Sequence, residues 1–169
     1  DKNWGSWTSC ITEIPYPTIS DSVAGSIDWG TKSLLVNKEF NESGTLISEV
    51  SFVQGNQEGI GKFYDTDGLM DCRFTFKEGL RNGPAECYYK NGKMRKQSSY
   101  VNDLLEGTIK LFAENGMIAK ELLFHEEELT NLKIYNAQGV LEREIRDPDT
   151  LDNMLDMGEL PGVFDGMER

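Results

Sequence analysis

The side chains that could do chemistry are few, and the densest group of them is acidic. The only histidine begins the run His125-Glu126-Glu127-Glu128. Such a run contains a potential general base and potential metal ligands, but consecutive carboxylates between structured segments more often form solvated surface. We therefore expect Glu126, Glu127 and Glu128 to lie on an exposed turn, where they could meet arginines or lysines of a partner.

A second acidic segment, Asp65-Thr66-Asp67-Gly68, has the residue types of a calcium-binding loop. An EF-hand loop needs oxygen ligands at its first, third and fifth positions, glycine at the sixth and glutamate at the twelfth. Here glycine comes fourth, and Phe76 stands where the glutamate should be. We interpret the segment as a turn and expect no metal.

The remaining reactive residues do not form a catalytic set. The three cysteines Cys10, Cys72 and Cys87 include no CxxC pair, and one histidine is too few for a zinc or haem site. No serine-histidine-aspartate order, glycine-rich phosphate loop or glycosidase-like carboxylate pair is present. The sequence therefore predicts a protein that is not an enzyme and that binds no cofactor.

The overall charge of the chain indicates which classes of binding partner are to be expected. The 169 residues carry a formal net charge of -12, which repels nucleic-acid phosphates and anionic lipid surfaces. No apolar run approaches the roughly 18 residues that a membrane-spanning helix needs. We expect no nucleic-acid binding, no direct membrane insertion, and a protein partner with a basic surface.

An internal repeat organises the chain. Glycines recur at steps of 24, 24, 24 and 23 residues, and each follows an aromatic residue by four positions. The glycines are Gly44, Gly68, Gly92, Gly116 and Gly139, and the aromatics are Phe40, Tyr64, Tyr88, Phe112 and Tyr135. A second series, Gly59, Gly83 and Gly107, keeps the same step until Thr130 replaces the glycine. Several columns with one period indicate a repeat protein.

Each repeat is typical of a β-hairpin. Asn91-Gly92 is a strong signal for a type I′ turn, in which both central residues have positive φ. After the turn, alternating apolar residues such as Phe74 and Phe76 share one face of a strand, while Arg73 and Thr75 face water. The predicted fold is mainly β: an elongated antiparallel sheet of successive hairpins, each relying on its neighbours for burial.

The two ends of the chain differ from the repeats. We assign residues 1–35 to an N-terminal cap that contains Trp4, Trp7 and Trp29, residues 36–146 to the repeat array, and residues 147–169 to an acidic C-terminal cap and tail. Helical spacing of Leu151, Met154 and Leu155 predicts a short helix there, begun by Asp149 or Thr150. The tail acids expected to contact a partner are Asp149, Asp152, Asp156 and Glu159.

The hairpin register allows a disulfide. Cys72 follows one turn and Cys87 precedes the next, so the two stand opposite each other on adjacent antiparallel strands. The alternative is a buried free thiol, because Cys87 shares its column with Phe63, Leu111 and Ile134.

The repeat resembles the MORN family in its bacterial variant form. The best-matching unit runs from Tyr88-Tyr89-Lys90-Asn91-Gly92-Lys93-Met94 through Tyr100 to Gly107, and the resemblance covers roughly residues 38–146. Variant arrays of this kind are similar to YwqK-type antitoxins, which accompany secreted toxins, while others are exported envelope proteins. The resemblance thus implies a bacterial immunity protein that neutralises a toxic effector by occluding a basic active site, in the periplasm or envelope. The alternative is an exported scaffold or adhesion protein without a toxin partner.

Overall fold

The computed structural model describes residues 12–14, 34–126, 128–158 and 160–163. The three tryptophans assigned to the N-terminal cap lie outside these ranges, as do Cys10, Glu127 and Glu159.

The described chain forms one 13-stranded antiparallel sheet in which the long strands follow one another in chain order. Two short strands, β4 and β9, pair beside this path with β3 and β8. This arrangement confirms the predicted mainly β fold of successive hairpins. The strands are β1 (Thr12–Ile14), β2 (Leu34–Phe40), β3 (Leu46–Val53), β4 (Asn56–Gln57), β5 (Gly59–Tyr64), β6 (Met70–Lys77), β7 (Leu80–Tyr88), β8 (Met94–Val101), β9 (Leu104–Leu105), β10 (Gly107–Phe112), β11 (Ile118–His125), β12 (Glu128–Tyr135) and β13 (Leu141–Ile145).

The loops that carry the repeat glycines are hairpin turns, but they are not of type I′. In the loop after β7, Tyr89 N donates to Lys93 O at 2.8 Å and Gly92 N donates to Tyr89 O at 2.8 Å. Only the glycine has positive φ (78° at Gly92), and Asn91 before it does not. This is the three-residue loop in which a type I turn is followed by a left-handed glycine. The prediction of a type I′ turn at Asn91-Gly92 was therefore wrong. The loop has three residues, and the left-handed third residue, Gly92, matches the twist of the two strands, so Asn91 does not need positive φ.

Type I′ turns occur instead at the opposite edge, between repeats. Glu78 and Gly79 have φ of 54° and 88°, and they join the facing residues Lys77 and Leu80. In the corresponding turn of the next repeat, Asn102 and Asp103 have φ of 52° and 70°. Two loop residues leave no third position to absorb the twist, so both must be left-handed.

The second glycine series lies at β-bulges just after these turns. At Gly59 (φ 80°) the register moves from Phe52 facing Gln57 to Glu49 facing Lys62, which leaves two extra residues on the later strand. The last repeat has only one extra residue there, Thr130, whose Oγ1 donates to Leu123 O at 3.0 Å. The smaller bulge at Thr130 thus explains why this repeat lacks the glycine of the second series.

The apolar residues of alternate strand positions form the core on one face of the sheet. Phe74 is at its centre, with ring centroids of Phe63 and Tyr100 at 5.7 and 6.1 Å. Beside it, Cys72 and Cys87 face each other with a Cα–Cα distance of 4.0 Å and are joined by a disulfide. We call the opposite, solvent-facing side the outer face.

Lys96 is an exception in this core. It faces Cys87 and Leu111 in the register and is 1% exposed. Its Nζ donates to the backbone oxygen of Val163 at 2.5 Å. The C-terminal segment is thereby tied to β8, far from the strand it follows.

The helix α1 (Pro148–Asp156) ends the array and packs against β12. Leu151 is its fully buried anchor, with Met154 and Leu155 half-buried against the core. Within the described residues, no helix combines the length and apolar character needed to cross a membrane.

Candidate functional site

The candidate site is the acidic surface around α1, and the start of this helix is firmly defined. Asp147, rather than Asp149 or Thr150, is the N-cap residue: its side chain accepts hydrogen bonds from Thr150 N at 3.0 Å and Thr150 Oγ1 at 2.6 Å. Both bonds lower the pKa of Asp147 because they stabilise the carboxylate. Pro148 follows in the first turn, where no backbone N–H is needed. The predicted cap was therefore two or three residues too late.

Three of the proposed contact residues form a stripe along α1. Asp149, Asp152 and Asp156 are spaced three and four residues apart, so they lie on one side of the helix. All three are exposed, and Leu151 on the buried side is 0% exposed. We call these three residues the aspartate stripe.

The two ends of the aspartate stripe differ in their effect on the helix: Asp149 lies in the first turn, where an acid is favourable, and Asp156 does not. Asp156 occupies the last position of α1, and the last turn contains no basic residue. The carboxyl end of a helix dipole favours a cation, so an acid at this position is mildly unfavourable. Its negative charge is thus available for an external cation.

The second acidic group lies at the turn between β11 and β12. Glu126 and Glu128 are both exposed, and neither forms a salt bridge with a described residue. Glu126 N points toward Glu106 Oε2 at 3.4 Å, and His125 Nδ1 lies 3.4 Å from Glu106 Oε1. Glu106 of the preceding repeat therefore holds this turn, while the two glutamates project from it.

Both acidic groups border the same strand. Glu128 is the first residue of β12, and β12 is the strand against which α1 packs. The structure thus places five of the seven proposed contact residues, Glu126, Glu128, Asp149, Asp152 and Asp156, on the exposed C-terminal part of the array. The other two, Glu127 and Glu159, lie outside the described residues.

The outer face of the sheet, in contrast, is charge-balanced. One row of facing residues crosses it from β2 to β13 with five cations and four anions. In order these are Lys38, Glu49, Lys62, Arg73, Glu86, Gln97, Lys110, Glu121, Lys133 and Glu144. We call this the charged row.

Opposite charges that face each other in the charged row form ion pairs, as Glu49 does with Lys38 and Lys62, whereas Lys62 also faces another cation, Arg73. Glu86 accepts from Tyr88 Oη at 2.5 Å and lies 2.6 Å from Arg73 Nη2. These two donors lower the pKa of Glu86 against the effect of its partial burial. Cross-strand pairing of opposite charges stabilises a sheet, so this row is accounted for by the fold. The negative excess lies elsewhere, at the turns and on α1.

The Asp65 side chain, which was considered as a calcium ligand, instead accepts hydrogen bonds from the backbone of its own turn. Asp65 Oδ1 accepts from Asp67 N and Leu69 N, both at 2.9 Å, and the bond from Leu69 contributes most to its lowered pKa. Asn41 makes the same two kinds of bond in an earlier loop. Side-chain oxygens at this position therefore close the turn, as in other Asx turns.

Two observations on the described residues concern metal and small-molecule binding. These residues contain no group of three or more histidine, cysteine, aspartate or glutamate side chains that could hold a metal. A hollow on the outer face, lined by Ile60, Arg73, Thr75 and Pro84 among others, has a volume of about 110 Å³. Pockets for small-molecule ligands are usually about 300 Å³ or larger.

Sequence reasoning missed Lys96. Its signal was present in the repeat, since Lys96 keeps the 24-residue step from Ser48 and Cys72, both buried. A lysine in a column of core residues marks a buried cation, which needs a hydrogen-bond acceptor. That acceptor, the oxygen of Val163, is 67 residues away along the chain.

Comparison with known families identifies two of the repeats. Residues 51–70 match the MORN repeat and residues 81–102 match the MORN repeat variant. The chain therefore contains MORN repeats, which generally serve as protein-binding modules without catalytic activity. No curated protein matches the sequence.

Similar solved structures are distant. One is described as a Glycosylation Associate Protein (Gap123) complex from Streptococcus agalactiae, with 12% identity over 76% of this chain and a TM-score of 0.43. Another is a GtfA/B complex bound to UDP and GlcNAc, with 10% identity over 95% of this chain and a TM-score of 0.26. The chain spans only 24% and 31% of these structures, and the likeness carries no functional argument.

Proposed function

We propose that this MORN-repeat chain binds a basic surface of another protein through its acidic C-terminal end. The observation that carries this proposal is the aspartate stripe, which is exposed, lacks a basic residue in the last helical turn and includes an acid at the unfavourable end of the helix. Glu126 and Glu128 add negative charge at the turn that begins β12, the strand against which α1 packs. Such a surface speeds encounter with a positively charged partner.

The partner we propose is a secreted toxic effector, and the role that of an immunity protein. Enzymes that act on nucleic acids or phospholipid headgroups need cationic groups in their clefts, and an acidic protein that fills such a cleft excludes the substrate. The Cys72–Cys87 disulfide supports a site of action in an oxidising compartment such as the periplasm or envelope. This role belongs to a binding protein, not an enzyme.

The test is affinity capture from the native cells and their secreted fraction, followed by inhibition of the captured protein. We expect one stoichiometric partner with a basic enzymatic domain whose activity this chain blocks. Retention on envelope material without such a partner would contradict the immunity role and support the scaffold alternative.

A charge variant then locates the surface. Replacing Asp149, Asp152 and Asp156 together by lysine should slow association by about ten-fold or more at low salt, with a smaller effect as ionic strength rises. The matched control makes the same change in net charge on the repeat-glycine loops, by replacing Glu42, Asp67 and Glu114 with lysine. Equal slowing in both variants would show that only net charge matters and would exclude the aspartate stripe as the site.

A further inference from the structure

The last strand of the array, β13, has an edge that no described residue pairs with. The other strands that follow a repeat-glycine loop, β3, β6, β8 and β11, have eight residues each and are paired on both sides. In contrast, β13 has five residues, and β12 is its single partner among the described strands. A free edge presents backbone donors and acceptors that can extend the sheet by another strand.

The sequence of β13 disfavours a second copy of this chain as that strand. In a continuous antiparallel sheet, a twofold pairing centred on Arg143 sets Arg143 against its own copy and Glu142 against Glu144. A centre on either glutamate sets that glutamate against itself. Like charges directly opposite each other destabilise a sheet, so these three central registers of self-association are disfavoured.

The same residues specify a complementary strand. Glu144 ends the charged row, in which it faces Lys133 on one side and, among the described strands, has no partner strand on the other. Glu144 Oε1 accepts from Asn131 Nδ2 at 2.9 Å and lies 2.8 Å from Arg146 Nη2, so this carboxylate already pairs with a cation, whose side chain is 71% exposed. Glu142 is exposed two residues earlier along the strand and on the same side. A strand with lysine or arginine at alternate positions fits both glutamates.

We infer that β13 receives an antiparallel strand of a basic partner protein, whose alternate lysines or arginines face Glu142 and Glu144. This inference rests on the proposed binding of a basic partner and specifies how that partner docks. The backbone of β13 supplies the hydrogen bonds, and the two glutamates select the partner's charge pattern. The aspartate stripe on α1 increases the rate of encounter, because it begins four residues after β13 ends.

The probe is a fluorescent, end-blocked heptapeptide of alternating valine and lysine, with binding followed by anisotropy. Its control has proline in place of the central valine, which keeps the charge but interrupts the strand. We expect the alternating peptide to bind more tightly than the control and to slow amide hydrogen exchange within residues 141–145. Equal binding of the two peptides, or protection elsewhere than β13, would overturn the inference.

Two double variants distinguish peptide binding at the edge of β13 from nonspecific attraction of a basic peptide to an acidic protein. Replacing Glu142 and Glu144 by lysine should weaken peptide binding by about five-fold or more, as expected for the loss of two exposed ion pairs and their reversal. Replacing Asp149 and Asp152 by lysine changes the net charge equally and should weaken it by less than about two-fold. A larger effect of the helix variant would refute docking at β13.

The proposed function and this inference can fail separately. A captured basic partner whose affinity is unaffected by the Glu142 and Glu144 replacements would contradict the edge and leave the proposed function standing. Peptide binding at β13 without any basic protein partner in the cell would contradict the proposed function while the edge remains a strand-binding site.

Discussion

Raising the pH above 8 should stabilise this fold through one side chain, Lys96. Burial lowers the pKa of Lys96 from 10.5 to about 8, and the positive charges of Arg95 and Arg81 act in the same direction. Between these two values the unfolded chain keeps a proton that the folded chain releases. The free energy of unfolding therefore rises with pH across this window and is lowest, as far as Lys96 is concerned, below pH 8.

The size of the effect follows from the two pKa values. At about 1.36 kcal/mol per pH unit, the difference corresponds to about 3 kcal/mol in total, of which about 2 kcal/mol develops between pH 7 and pH 9.5. Measurements should stop near pH 9.5. Burial raises the pKa of Tyr88 and Tyr100, so tyrosine ionisation in the unfolded chain reduces stability above about pH 10.

Urea unfolding at several pH values measures this effect. A Cys10→Ser background prevents thiol exchange with the disulfide at high pH. We expect the stability of the Lys96→Met variant relative to the parent to fall by about 2 kcal/mol from pH 7 to pH 9.5, because methionine does not titrate. Lys120→Met, at the next step of the same column but only half-buried, is the matched control for replacing a lysine of this column by methionine. Parallel pH profiles for the Lys96→Met variant and its parent would refute the reasoning.

Three further perturbations test the fold. Reducing the Cys72–Cys87 disulfide, which closes a separation of 15 residues, should lower the free energy of unfolding by about 3 kcal/mol; urea curves with and without reductant measure this, and coincident curves would contradict it. Gly61→Ala would place a Cβ 2.7 Å from the ring of Phe76 and should cost about 1–3 kcal/mol; an unchanged denaturation midpoint would show that the ring can move. Asp147→Ala removes the helix N-cap and should lower the thermal midpoint by a few degrees, whereas Asp147→Asn, which keeps the acceptor oxygen, should lower it much less.

The repeat columns were sufficient to predict the sheet because they encode burial and turns together. The 24-residue step placed Phe74 and Phe76 on the core side and Arg73 on the outer face, as the structure has them. The turn type was not predictable from Asn91-Gly92 alone. That dipeptide suits both a two-residue and a three-residue loop, and the choice depends on the pairing of the residues around it.

The candidate site was predicted less completely, because charge density does not show which acids the fold itself uses. Glu106 and Asp65 are as acidic in sequence as Glu126, yet both accept hydrogen bonds from turns. The aspartate stripe could be predicted from the sequence, since its three residues have helical spacing. The hydrogen-bond acceptor of Lys96 could not be predicted, because it belongs to the C-terminal segment and is brought to Lys96 by a tertiary contact.

The contacts between successive turns have a consequence for the length of the molecule. Gly79 N donates to Gln57 O at 3.0 Å and Asp103 N donates to Arg81 O at 2.9 Å, so each turn is held by the one before it. Neighbouring strands lie about 4.8 Å apart, so a two-strand unit advances the sheet by roughly 9.6 Å. Duplication of one 24-residue unit on the N-terminal side of β8 would preserve both the turn-to-turn contacts and the bond of Lys96 to Val163, and would move the acidic end one such increment further from β2. The distance from β2 to the acidic end is therefore set by the number of 24-residue units, and it can change during evolution by one unit at a time.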